Sequence, residues 1–145
     1  MSDRTVSLRK ATRMDLDDMY RWRCDEDIYR WFRNQDEPLD WDNHISWWES
    51  RSDGRDDFII EQFGGGVGDG VVAIAEDGDV GIYIGEKRLW GEGLAKEALK
   101  KAIDRVDRDL VAQIHQENTR SQHLFESVGF ERTGADGEWI EYELA

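Results

Sequence analysis

Residues 88–102, RLWGEGLAKEALKKA, place Gly91, Gly93 and Ala95 on alternate positions just ahead of a helix-forming run. Upstream, DVGIYIG is apolar, β-branched and aromatic, and reads as a strand. A strand, a small-residue turn and a helix N-terminus together can hold an anion, because the first amides of a helix have no acceptors within it. Of the five lysines in the chain, Lys87, Lys96, Lys100 and Lys101 lie in or beside this segment, together with Arg88. In a chain of net charge −14 that local reversal of sign fits a polyanion, although Glu97 and Lys101 also have the spacing of a helix-solubilising pair. A dinucleotide fingerprint would need glycine where Lys96 stands, and a P-loop would need a Gly-Lys-Ser/Thr run that the chain lacks. What remains is a helix N-terminus whose exposed amides can receive a pyrophosphate.

The elements that must position this turn can be read from periodicity. A first strand is expected over Thr5–Lys10, and Thr12 is expected to cap a helix with Leu16, Met19 and Tyr20 on its apolar face. A second helical piece carries Ile28, Trp31 and Phe32, and Asp40 caps a helix with Trp41, Ile45 and Trp48 inward. DFIIEQ and GVVAIA are strands separated by GGGVGDG, read as a flexible turn, and Asp77-Gly78 makes a hairpin into DVGIYIG. A helix over about Gly93–Val106, a strand LVAQIH, a helix TRSQHLFESV stopped by Gly129, and strands Phe130–Thr133 and Trp139–Leu144 complete the chain, with GADG between the last two. This order predicts a mixed α/β (α+β) sheet with helices packed on it, in a single domain over 1–145.

Composition narrows the function. Seven tryptophans and 39% hydrophobic residues argue for a packed core, and no apolar run approaches the roughly 20 residues of a membrane span. The N-terminus has no signal-like apolar core, so a cytoplasmic protein is expected. The acidity is dispersed, which disfavours nucleic acid as a partner and resembles the aspartate-rich, lysine-poor composition of halophilic proteins. Cys24 is expected in the core, and three scattered histidines with one cysteine give no metal site.

Two motifs in the second half carry a resemblance. Trp90, Gly91, Gly93, Ala95, Glu97 and Ala98 match W-G-x-G-x-A-x-E-A, and Asn118, Ser121, Leu124, Phe125, Gly129 and Phe130 match N-x-x-S-x-x-L-[YF]-x-x-x-G-F. Together they resemble the GNAT superfamily of acyl-CoA N-acyltransferases, most of all its ribosomal-protein N-terminal and amino-sugar acetyltransferases. The resemblance implies the GNAT fold, a mostly antiparallel sheet of about six to seven strands splayed at the centre. It implies acetyl-CoA (coenzyme A) between the fourth strand and LVAQIH. The main chain of Ile82, Tyr83 and Ile84 would pair with the pantetheine, and the amides of Gly91, Glu92, Gly93, Leu94, Ala95 and Lys96 would take the pyrophosphate. Lys87 or Arg88 would lie near the phosphates, with Asn118 and Phe125 also at the cofactor.

The chemistry implied is acetyl transfer to a primary amine, with a backbone amide near Ile84 available to the oxyanion. Relatives place a proton-donating tyrosine where this chain has Phe125, so Ser121 is expected to protonate the leaving sulfur. His115 is the expected base, with Glu117, Glu61 or a water chain as alternatives. Tyr20, Trp22, Tyr29, Trp31, Phe32, Trp41, Trp47 and Trp48 crowd the N-terminal region. Trp31, Phe32 and Trp47 are expected to wall the acceptor pocket, with Arg33, Arg30 or Asn34 as ligands. That combination suits an amino sugar somewhat better than a peptide or protein N-terminus. Neither nucleic acid nor membrane is expected as a partner, and the protein should be a monomer or homodimer. Phe125 keeps open a noncatalytic acyl-CoA-binding or sensing module, and a nucleotide-binding regulatory domain is a third reading.

Overall fold

Apolar and polar residues alternate in VSLRK, and Val6 and Leu8 are accordingly buried on one face of β1 (Val6–Lys10). The computed structural model describes residues 6–62 and 67–144, so Thr5 lies outside the described residues. The elements that follow are α1 (Leu16–Arg23), α2 (Glu26–Tyr29), α3 (Trp41–Glu49), β2 (Asp56–Gln62), β3 (Gly68–Ile74) and β4 (Val80–Ile84). Then come α4 (Leu94–Arg105), β5 (Val111–His115), α5 (Thr119–Ser127), β6 (Phe130–Asp136) and β7 (Trp139–Leu144).

The strands form two antiparallel sheets, ordered β1-β2-β3-β4 and β5-β7-β6. Among the described residues they share one parallel bridge, Asp79 to Val111, and part beyond it. This is the splayed sheet that the motifs imply. Phe58, Ile60, Val72 and Ile74 face α4 and the second sheet, whereas Ile59 and Val71 face Met19, Trp22 and Ile28 of the N-terminal helices. β2 and β3 are buried on both faces for that reason, and their apolar runs do not alternate. Helix α4 turns Leu94, Ala98, Leu99 and Ala102 inward, at the spacing of one helical face.

Several expectations are corrected. Gly68–Gly70 belongs to β3 rather than to a turn, while positions 63–66 lie outside the described residues. Gly70 is required there because a Cβ would come within 2.3 Å of the Tyr83 carbonyl oxygen. Thr12 caps a single 3-10 turn, Arg13–Asp15, and α1 buries Trp22 with Leu16 and Met19 while Tyr20 remains half-buried. Trp31 and Phe32 follow α2 instead of lying within it. α3 is rotated from its expected phase: His44 is its buried residue, donating from Nε2 to the Leu16 carbonyl at 3.0 Å, and Trp41 is exposed. β6 runs through Gly134–Asp136, so GADG is mostly strand.

Candidate functional site

Where the two sheets part, a groove of about 730 Å³ opens along the free edge of β4. Ile82, Tyr83 and Ile84 line it, together with the 89–96 turn, Asn118, Ser121 and Phe125 of the α5 region, and Trp31 and Phe32. Its size lies in the range of ordinary ligand pockets.

The edge of β4 has main-chain groups to offer. The Gly85 N–H donates to the Asp69 carbonyl across the ladder at 2.7 Å, so odd-numbered residues point their main chain toward β3. Ile82 and Ile84 therefore direct theirs toward the wedge. The Ile84 carbonyl is already used, since the Trp90 indole N–H donates to it at 2.7 Å. Ile84 N–H shares that orientation and opens on the groove.

The turn before α4 is shaped by glycine. Gly91 and Gly93 have φ of +82° and +83°, a region that disfavours any residue with a Cβ. A Cβ at either position would meet nothing within 4 Å in the chain. Their need is thus conformational, and the space they face is free for a ligand. Gly93 is the N-cap of α4, a helix of 12 residues, so the amides of Leu94, Ala95 and Lys96 emerge without intrahelical acceptors.

The lysine cluster is only partly at the site. Lys96 lines the groove. Lys87 Nζ instead pairs with Asp25 at 2.8 Å and Asp27 at 2.7 Å, bonds that raise its pKa, and Arg88 does not line the groove. Lys100 lies 3.9 Å from Glu97, so the solubilising pair is formed with Lys100 at i,i+3. A further cation lining the groove is Arg120, whose guanidinium lies 5.8 Å from the Trp90 ring. Sequence reading missed Arg120, although its place between Asn118 and Ser121 of the second motif was a usable signal.

Helix α5 presents its N-terminus to the same space. Asn118 caps it, accepting the Ser121 N–H on Oδ1 at 3.3 Å. Ser121 Oγ makes no hydrogen bond among the described residues, unlike Ser127, whose hydroxyl donates to the Leu124 carbonyl at 2.6 Å. Phe125, one turn on, is buried and meets Phe130 edge-on at 4.9 Å, so the floor of the groove at this point is apolar.

The titratable candidates divide sharply. Glu117 lines the groove. Glu61 is buried on β2 and paired with Arg9 at 2.6 Å, away from it. His115 lies outside the lining: its ring sits between Trp31 at 5.8 Å and Trp139 at 5.2 Å, and its Nδ1 accepts the Glu117 N–H at 3.1 Å. Tyr83 packs edge-on against Phe32 and Trp22, and burial pushes its phenol well above the ordinary value, so it stays protonated.

Of the expected acceptor wall, Trp31 and Phe32 line the groove, and Arg30 joins them with its guanidinium 4.6 Å from the Trp31 ring. Trp47 does not. It stacks on His44 at 5.6 Å and borders a separate, shallower depression of about 390 Å³ with Arg51 and Arg55. Arg33 also stays out of the groove, bonding Gln113 and Asp136 instead. No group of three or more His, Cys, Asp or Glu side chains able to hold a metal occurs among the described residues. No described helix is long and apolar enough to cross a membrane.

Comparison with known proteins agrees with this geometry. The family model described as an acetyltransferase (GNAT) domain matches residues 5–131. An uncharacterized protein of Methanocaldococcus jannaschii is 33% identical over 98% of this chain, which spans only 31% of that protein's length. The crystal structure of a domain from the same organism superposes with a TM-score of 0.87 at 33% identity, covering 98% of this chain and 99% of that one. Two more distant structures share the fold. Spermidine N-acetyltransferase from Vibrio cholerae, in complex with coenzyme A and spermine, gives a TM-score of 0.79 at 19% identity over 95% of this chain and 92% of that one. An aminoglycoside acetyltransferase in complex with coenzyme A and kanamycin gives 0.77 at 17% identity over 96% and 93%. A wedge between two sheets, a glycine turn at its mouth and a matching family model over most of the sequence lead to one conclusion: this chain belongs to the GNAT acetyltransferase family.

Proposed function

We propose that residues 1–145 form one N-acetyltransferase domain that moves an acetyl group from acetyl-CoA to a primary amine. The observation that carries this reading is the N-terminus of α4, with Gly91 and Gly93 at positive φ, opening into the gap where the two sheets part. Unpaired amides of Leu94–Lys96 suit a pyrophosphate, Lys96 and Arg120 add positive charge, and the free β4 edge at Ile82–Ile84 suits an extended amide-bearing arm. Coenzyme A fits this donor set, and it supplies an acyl group activated as a thioester. Two structural relatives were crystallised with coenzyme A, and they are named for acetylating spermidine and aminoglycosides.

The roles of this chain's residues follow from their placement. Ile84 N–H is the donor available to the acyl oxygen as charge builds on it. Glu117 replaces His115 as proton acceptor for the amine, because it lines the groove and His115 does not. Ser121 Oγ, free of an intrahelical bond, gives a proton to the departing sulfur, a task Phe125 cannot perform. Transfer then balances: nitrogen bonds the acyl carbon, the carbon–sulfur bond breaks, one proton leaves the amine and one reaches the thiolate. Trp31 and Phe32, with Arg30 beside them, form an aromatic platform with a polar fork. That platform favours an amino sugar over a peptide N-terminus as acceptor.

Calorimetry with acetyl-CoA followed by a screen of amino sugars, peptides with free N-termini and polyamines tests this reading. Binding together with acetylation of an amine supports it, and absence of acetyl-CoA binding removes it. Buried Phe125 favours a second reading, a noncatalytic acyl-CoA sensor, which predicts binding without thioester cleavage by any amine.

A further inference from the structure

We propose that Arg33 is a positioning residue that latches the acceptor-side wall of the groove to the second sheet. This rests on the acetyltransferase reading, since it concerns the acceptor end of the same groove. The segment that carries Trp31 and Phe32 is tied at both ends. At its start, Asp25 and Asp27 hold Lys87, just before the glycine turn. At its finish, Arg33 donates from Nη1 to Gln113 Oε1 on β5 and from Nη2 to Asp136 Oδ2 on β6, with its guanidinium 5.9 Å from the Trp139 ring. Trp31 completes the connection through His115, which is the direct cross-strand partner of Trp139.

The strands of the two sheets meet, among the described residues, only at the Asp79–Val111 bridge. The opening at the acceptor end is therefore set by what spans it, and residues 25–33 span it. The latch is also easy to release. Arg33 is about one-third exposed and Asp136 two-thirds, at 33% and 66%, so their ion pair works in high dielectric and is screened by salt. The aromatic contacts at 5–6 Å keep the segment near its seat while the ion pair opens. Arg33 thus acts on the acceptor through Trp31 and Phe32 and not as a ligand.

Arg33→Ala, Asp136→Ala, their combination and Arg33→Lys separate the two roles. Asp136 is exposed and outside the groove, so its loss spares both the core and the lining. The expected result is an acceptor KM raised about two- to fivefold in each alanine variant, the scale of an exposed ion pair. The double variant should be no worse than the worse single, Arg33→Lys should recover part of the effect, and acetyl-CoA affinity should be unchanged. Hydrogen exchange of amides 26–33 should quicken in both alanine variants. Exchange is read without turnover, so it tests the latch even if no amine is acetylated. Wild-type KM and exchange in Asp136→Ala would overturn the proposal. Additive effects in the double variant would overturn it as well.

Discussion

Asp79 and His44 have opposite consequences for stability, and each can be worked out from its surroundings. Asp79 stands at the junction of the two sheets, and its Oδ1 is buried without a hydrogen-bond partner. Burial, then repulsion from Asp77, pushes its pKa up to about 6, with Arg55 opposing. The folded state thus holds this proton to higher pH than the unfolded chain, so the cost of ionised Asp79 is absent in acid and grows from about pH 4 to pH 6. Asp79→Asn should stabilise the protein at pH 7 by about 1–2 kcal/mol after discounting for partial exposure, with the difference vanishing toward pH 4. Urea melts of both proteins at the two pH values check it. His44 runs the other way: burial lowers its pKa below the ordinary 6.5, with the bond to Leu16 partly opposing. Its contribution is complete above pH 6.5 and is lost as pH falls toward the folded value, so His44→Gln should be less sensitive to acidification from pH 7 to pH 5. Ser121→Ala belongs with these single-group effects. Loss of a proton donor used only as the carbon–sulfur bond breaks should lower kcat by roughly 10²-fold with little change in KM. Unchanged kcat would mean that water serves instead.

The turn between β4 and α4 depends on two backbone conformations that glycine adopts without cost. Valine at Gly93 must either strain at φ +83° or rotate the amides that follow. Gly93→Val should therefore weaken acetyl-CoA binding more than tenfold while the melting temperature moves by only a few degrees, because no core atom is touched. Calorimetry and a thermal melt on the same sample decide it. This turn was legible in sequence because its small residues before a helix stand at the expected separation from the second motif, Asn118 to Phe130. The strands were legible for a different reason, as β-branched and aromatic runs need a sheet to pack in. Helix α3 was not. Its tryptophans and Ile45 surround the helix, so periodicity alone does not choose a face. The phase is set by His44 meeting the Leu16 carbonyl, a long-range contact that local pattern does not contain. For the same reason periodicity assigns Trp47 to the acceptor pocket, whereas it stacks on His44 and borders a separate depression. Lys87 misled for a similar reason: its neighbours in sequence are the turn, but its partners in space are Asp25 and Asp27.

Charge over the entire chain makes a different demand. Thirty-three acidic against nineteen basic side chains leave −14, and the acids are spread along the sequence rather than gathered in a tail. Four acids are buried among the described residues, and three of them are matched by arginine: Asp57 by Arg51 and Arg55 at 2.9 Å, Asp15 by Arg9 at 2.8 Å and Glu61 by Arg9 at 2.6 Å. The excess therefore lies at the surface, where repulsion between neighbouring carboxylates opposes the folded state and falls off beyond a Debye length. Salt also weakens exposed pairs such as Arg13–Glu49 at 3.5 Å, but such pairs contribute little to begin with. Relief of repulsion should dominate, and we propose on this ground that the composition is an adaptation to high ionic strength. The melting temperature should climb by several degrees as potassium chloride rises from 0.15 M toward 2 M. A neutral osmolyte at matched osmolarity, which leaves the carboxylates unscreened, should give a smaller gain. Equal gains in both would assign the effect to general exclusion of cosolute from the surface, and a flat or falling midpoint in salt would show that the acidity serves another purpose.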